Sequence, residues 1–330
     1  VLKKRLKKTR KYQNNRKKIY NVILMTTAKK RKHKKKHTRN TLFKKNNNKQ
    51  TRRAFKKANC APSNEKKDYT CYSNNSLIKM RNLWNSRHPD HKIQAETPHD
   101  IWKHLKFNMQ DVCDIETCWL NQQFVANGLD KELASYTFTP KSPKTWKKNP
   151  TEWLSSVDIE TVMKQYERTY KCFDFIGPSP IDFDTKELYG KCVWEELCHF
   201  DLKKHIAKGK NKIGVIFNTD PHYLSGSHWI SLFINIKKGF IFFFDSNGDP
   251  VPKEIATLCD RIIKNAKTLD ITLTFQQNAP MEHQYENTEC GMYSLYFVIS
   301  MVTDAHDYHY FMQHRIPDEN MKKTRLKYFN

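Results

Sequence analysis

The sequence predicts an α+β or mixed α/β fold. Three observations carry this reading. Short apolar runs suited to buried strands occur at 213–217, 229–236, 240–244 and 271–275. Helical periodicity appears before them and between them. An almost wholly apolar stretch, 292–302, follows Gly291 and is long enough for a central buried helix. Strands interleaved with helices around one core give that class.

The elements follow in chain order. Of 59 Lys+Arg, 25 lie in residues 1–60, which hold no Asp or Glu; the 34 that remain match the 34 acidic residues of the body. The formal charge of +25 is therefore the charge of the N-terminal segment. We read residues 1–60 as a basic, largely disordered tail, because such a composition cannot bury enough apolar surface to order itself. Its densest run holds Lys29, Lys30, Arg31, Lys32, Lys34, Lys35 and Lys36. A run of this kind attracts polyanions through counterion release, and it also suits nuclear import or a membrane surface. Residues 61–90 look like a polar transition.

From about 94 to 136 the pattern is helical, with Ile101, Leu105 and Met109 on one face and Phe124, Val125, Leu129 and Leu133 on another. Residues 138–152 carry three prolines and read as an extended connector. We thus expect a helical N-terminal domain with its connector over 61–150 and a second domain over 151–330. The second opens on a helix with a capping-box-like start at Ser155 and Asp158, followed by Ile159, Met163, Tyr166 and Tyr170 on one face. Gly177, Pro178 and Pro180 read as a break before 181–183. A further helix is expected from 252 to about 267, with Ile255, Leu258, Ile262 and Ile263 inward.

The apolar segment 19–25 is far too short to span a bilayer, which takes about 20 residues. The tail also lacks the long apolar centre of a secretory signal. The expectation is a soluble protein without membrane insertion. Nine cysteines, odd in number and irregularly spaced, then read as reduced thiols. Cys192, Cys198 and His199 invite a zinc reading, but the chain has no Cys-x-x-Cys pair, and no metal is expected.

The chemistry sits in four residues. Cys290 falls at the first turn of the apolar helix, where backbone N–H groups and the positive end of the dipole favour a thiolate. Gly291 leaves room for a substrate carbonyl over the backbone amides. His228 enters the strand 229–236, and Asp245 ends the strand 240–244. The connection at 237–239 is short, so antiparallel pairing brings His228 and Asp245 to the same open end, where a carboxylate can orient an imidazole. Gln284 supplies a neutral amide donor suited to a developing oxyanion. Taken singly, each residue has an ordinary structural explanation; their joint order does not.

His228-Trp229, an acid 17 residues later, and Gln284 six residues before Cys290-Gly291 resemble the SUMO-protease clan of ubiquitin-like-protein cysteine proteases. Residues 153–159, Trp-Leu-Ser-Ser-Val-Asp-Ile, are similar to the Trp-Leu-x-Asp-x-x-Ile signature that opens the catalytic domain there. Ser156 departs from that signature, as do Glu286, where many members have Asn, and Glu289, where they have Asp. The text around 153–183, 226–229 and 287–294 resembles most the virion-maturation proteases of large DNA viruses. The resemblance covers roughly residues 150–305.

It implies a papain-like, adenain-like core with a central mixed sheet flanked by helices, and no cofactor. It implies a thiol endopeptidase in which Cys290 attacks, His228 takes the proton, Asp245 orients His228, and Gln284 with the Cys290 amide holds the oxyanion. Relatives cleave after Gly-Gly through a tunnel roofed by tryptophans, and Trp153 and Trp229 are the matching positions. Implied partners are capsid or core polyproteins, with viral DNA as partner of the tail; the implied setting is virion and host cytoplasm, or the nucleus. The alternative in the same clan is deconjugation of SUMO or another ubiquitin-like modifier. Acyl transfer on this scaffold would need an acyl-CoA site, and no phosphate-cradling glycine loop is present. A nucleic-acid-binding structural protein would leave the four residues unexplained.

Overall fold

The computed structural model describes residues 54–63, 68–126 and 136–330, the side chain of Leu188 excepted. The basic run 29–36, and with it nearly all of the predicted tail, lies outside the described residues, as do Leu129 and Leu133.

Five strands form one mixed sheet in the order β1–β2–β3–β4–β5. They are β1 (Phe173–Pro180), β2 (Lys212–Asn218), β3 (Trp229–Asn235), β4 (Phe240–Phe244) and β5 (Thr274–Gln277). The outer pairs β1/β2 and β4/β5 are parallel, and the central pairs β2/β3 and β3/β4 are antiparallel. Side chains alternate across a strand, so β4 sends Phe240, Phe242 and Phe244 to one face and Ile241 and Phe243 to the other. The first face packs on helices α3 (Ser156–Thr169) and α6 (Cys290–Val302). The second packs on α4 (Leu202–Ala207) and α5 (Lys253–Lys267). In α5 the buried positions Ile255, Leu258, Cys259, Ile262 and Ala266 keep helical spacing. Helix α6 is buried along almost its whole length and crosses β2 at Gly214, where a Cβ would lie 2.8 Å from Val298 Cγ1.

Four expectations change. The predicted break at Gly177-Pro178 is part of strand β1. It sits at the sheet edge, where proline's missing N–H costs no ladder bond, and the register shifts between Ile176 and Ser179. Gly177 takes φ +118° there, and a Cβ would meet the Ile216 carbonyl oxygen at 2.9 Å. The strand expected at 271–275 forms three residues later. The polar transition holds helix α1 (Asn74–Arg87), capped by Ser73 and burying Leu77, Met80 and Trp84. With α2 (Pro98–Met109) it builds a separate apolar cluster around Trp119 and Tyr72. Beyond α6, helices α7 (Tyr308–Gln313) and α8 (Asp318–Tyr328) occupy a stretch where no element was expected.

The fourth change concerns the thiols. Cys60–Cys71, Cys113–Cys118 and Cys192–Cys198 are disulfides, with Cα separations of 5.1, 5.6 and 6.3 Å. Turns bring these sequence neighbours within the distance a disulfide bridges, which irregular spacing does not reveal. Cys172, Cys259 and Cys290 are free. Among the described residues, no helix is long and apolar enough to cross a membrane.

Candidate active site

Cys290 is the first residue of α6 and is 2% exposed. The helix start places it at the positive end of the dipole. His228 directly precedes β3, and its carbonyl accepts from Thr219 N at 2.9 Å, which fixes the backbone at the strand entry. Asp245 directly follows β4. The register Ser231↔Phe244 across the β3/β4 hairpin brings the two together, and His228 Nε2 lies 2.7 Å from Asp245 Oδ1. The Cys290 thiol lies near enough to the His228 ring to act on its protonation. With Nε2 committed to Asp245, Nδ1 is the nitrogen left for the sulfur. Burial of the ring opposes its charge, but the hydrogen bonds and charges of Asp245 and Cys290 override it and push His228 up to about 10. The imidazolium form therefore persists across the neutral range.

Asp245 is itself held on several sides. Its N–H donates to Asn278 Oδ1 at 2.9 Å, and Asn278 Nδ2 donates to the Asp245 carbonyl at 2.7 Å. Its Oδ1 also accepts from Asn247 N at 2.9 Å. The next residue, Ser246, organises the oxyanion side. Its carbonyl accepts from His283 N at 2.8 Å and Gln284 N at 2.9 Å, and its hydroxyl donates to Gln284 Oε1 at 2.8 Å. Tying down the amide oxygen leaves the Gln284 NH2 as the donor end. The turn approaches the Gln284 loop closely at Gly248: φ is +76° and a Cβ would lie 2.8 Å from Glu282 N. His283 is fully buried, with Nε2 donating to Phe311 O at 3.0 Å and Nδ1 accepting from Ile316 N at 3.1 Å. Burial pushes it down to about 4, so it is neutral and joins the oxyanion loop to the C-terminal helices.

The two tryptophans are placed differently. Trp153 is 45% exposed, and its Nε1 donates to Asn287 O at 2.9 Å. Trp229 is mostly buried, and its Nε1 donates to Leu154 O at 3.0 Å. Both line a groove of about 710 Å³. Gly291 does not open onto that space: a Cβ there would lie 3.0 Å from Leu154 Cβ. Its lack of a side chain accommodates Leu154.

The zinc-like trio Cys192, Cys198 and His199 has its ligand atoms within 4.8 Å of one another. However, the two sulfurs are bonded to each other, and Lys186 Nζ lies 2.9 Å from Cys192 Sγ. That ammonium is a cation where a metal would have to sit.

The structure thus brings His228, Asp245, Gln284 and Cys290 to one end of the sheet. Sequence reasoning missed Ser246, Asn278, His283 and the buried pair Glu289–Arg325 behind Cys290. Ser246 had a signal, a hydroxyl directly after the strand-terminal acid. Arg325 had none, since it lies 35 residues beyond Cys290 in a charged helix.

A helix-start thiol, an imidazole and an orienting carboxylate at one end of a mixed sheet define a cysteine protease. The chain belongs to the Ulp1 protease family, whose C-terminal catalytic domain matches residues 163–330. A protein of Acanthamoeba polyphaga mimivirus named as a thiol protease is 27% identical over 267 residues, 74% of this chain and 84% of the relative. A cysteine protease of African swine fever virus is 28% identical over 232 residues, 66% of this chain and 83% of the relative. The crystal structure of an African swine fever virus protease in selenomethionine form aligns with a TM-score of 0.61 at 21% identity, covering 83% of this chain and 96% of that one. It shows that the fold is shared.

Proposed function

We propose that this cysteine protease is a viral endopeptidase that cleaves structural polyproteins after Gly-Gly during virion maturation. In this reading Cys290 Sγ attacks the scissile carbonyl while His228 holds the proton as imidazolium. The tetrahedral oxyanion takes hydrogen bonds from the Gln284 amide and the Cys290 N–H, and His228 then protonates the leaving amine. Water, activated by the same imidazole, releases the acyl group. Asp245 keeps the ring oriented throughout. The observation that carries the reading is the His228–Asp245 contact beside a helix-start thiol, flanked by the two tryptophans of the groove. Glycine suits such walls because it has no Cβ to collide with them. The viral relatives supply the setting.

The tail, in the same proposal, keeps the enzyme on packaged nucleic acid in the virion and at the cytoplasmic assembly site. The nine glycines are never adjacent, so an enzyme specific for Gly-Gly does not cut within these 330 residues.

A second reading, SUMO deconjugation, draws support from African swine fever virus relatives named SUMO-1 cysteine protease. One experiment separates the two. The full chain, with Cys290→Ala as control, is incubated with virion structural proteins, a Gly-Gly-x peptide library and a panel of SUMO conjugates, and cut sites are mapped by mass spectrometry. The maturation reading requires cuts after Gly-Gly in the structural proteins. Cuts confined to the SUMO conjugates transfer the function to the second reading.

A further inference from the structure

We propose that the groove beside Trp153 and Trp229 selects a lysine or arginine in the substrate, on the side of the scissile bond that enters it, with Glu187 as the specificity-determining residue. The inference rests on the protease reading above and adds a substrate class to it.

The groove, about 710 Å³, carries the carboxylates of Glu152, Glu187 and Asp220 and no lysine or arginine among its lining residues. That is unusual in a chain with 59 Lys+Arg. Trp153, Trp194 and Trp229 line it, and such aromatic walls lower the local dielectric and favour a cation. Two of the carboxylates already have fixed protein partners. Glu152 accepts from Thr145 Oγ1, and Asp220 Oδ1 accepts from Ser227 Oγ at 2.7 Å. Glu187 differs. Its nearest ion-pairing partner is the His222 imidazole, with Nε2 at 3.6 Å, beyond hydrogen-bond range. That imidazole is itself turned toward Asp182, with Nδ1 at 2.7 Å from Oδ2. Glu187 therefore presents an acceptor to the groove without a strong internal claim on it.

Its position is also rigid. Glu187 N donates to Lys191 O at 2.7 Å, Val193 N to Thr185 O at 3.0 Å and Trp194 N to Phe183 O at 3.1 Å, so residues 183–194 fold back as a tight loop. The Cys192–Cys198 disulfide closes its base, and Arg261 grips Asp184 through two bonds of 3.0 and 3.1 Å. A carboxylate on a fixed loop discriminates charge better than one on a mobile chain, because less freedom is lost when the cation docks. A substrate ammonium or guanidinium gains a charge-assisted hydrogen bond here, whereas a substrate carboxylate meets three like charges.

The test uses the full chain and peptides that carry Arg, Ala or Glu in turn at each of several positions on both sides of the scissile bond. The expected result is a preference for Arg over Glu of about tenfold in kcat/KM at one position, carried by KM and reduced by salt. The ratio falls to near one or inverts in Glu187→Lys, while Glu254→Lys, on an exposed helix start, keeps the parental ratio. The same peptides are titrated against Cys290→Ala protein, so that binding reads the charge preference independently of turnover. No preference for Arg over Glu in cleavage or binding, or an unchanged ratio in Glu187→Lys, overturns the proposal. Cleavage at bonds other than Gly-Gly-x with the Arg preference intact refutes the Gly-Gly reading alone.

Discussion

Arg325, in the last helix, closes on Glu289, the residue immediately before Cys290. Nη2 lies 2.8 Å from Oε2, and the two side chains are 4% and 0% exposed. The same guanidinium donates to the Glu152 carbonyl at 2.8 Å and lies over the Trp146 ring. One cation thus ties the start of the nucleophile helix to the segment bearing Trp153. Burial raises the Glu289 carboxyl above its ordinary range even with Arg325 beside it, so the pair is held together against its own desolvation.

Arg325→Met should therefore leave a buried carboxylate without its partner. The expected loss is about 3–5 kcal/mol of unfolding free energy, read from urea titration at neutral pH. The double variant Glu289→Gln with Arg325→Met should regain part of that loss. Equal destabilisation in the single and double variants would mean that the charge pair is not what matters here.

Ser246 acts through Gln284. Replacing Gln284 by Ala should lower kcat by roughly 100- to 1,000-fold with little change in KM, as expected for a donor used in the transition state. Ser246→Ala removes the bond that orients the amide and should cost about tenfold in kcat, in line with one lost buried hydrogen bond. In a Gln284→Ala background the Ser246 change should have almost no further effect on kcat. Additive losses would place Ser246 outside this chain of contacts.

The alkaline limit of activity should follow His228. With the imidazolium held up to about 10, kcat/KM is expected to fall only as the pH approaches that value, because the deprotonated ring no longer supplies the leaving amine with a proton. Asp245→Asn removes one of the charges that raise His228, while burial still opposes its proton. The alkaline limb should then move to lower pH by more than about one unit. An unshifted limb would show that Asp245 does not set the protonation of His228.

Acid should weaken the fold through His283. Its ring is held down to about 4 by burial, while the unfolded chain takes up a proton near the ordinary histidine value of about 6.5. As pH falls through this window the unfolded state binds the proton first, so stability drops between those two values and then levels off. The size is roughly 2–4 kcal/mol for a shift of this order. His283→Gln should be less stable than the parent at pH 7, with the gap closing by pH 4. A gap that stays constant across the window would contradict the assignment.

How much of this was legible in the sequence depends on the range of the contact. The β3/β4 hairpin could be read because alternation and a short turn are local, and together they place His228 beside Asp245. The α6 start was readable because Cys290-Gly291 opens an unbroken apolar run. Strand β1 was hidden because Gly-Pro-Ser-Pro reads as a breaker unless its place at a sheet edge is known. Helix α1 was hidden because Leu77, Met80 and Trp84 stand among Asn, Ser and Lys. Asn278 and Arg325 reach Asp245 and Glu289 across 33 and 36 residues of sequence. The disulfides needed Cα distances that spacing alone does not provide.

The most direct measurement compares the full chain with Cys290→Ala on one fluorogenic Gly-Gly-x peptide, each with and without prior alkylation by iodoacetamide. Our account predicts that alkylation abolishes turnover of the parent, that Cys290→Ala has no turnover in either state, and that both retain the parental circular dichroism spectrum. Parental turnover by a folded Cys290→Ala protein would contradict the assignment of the nucleophile.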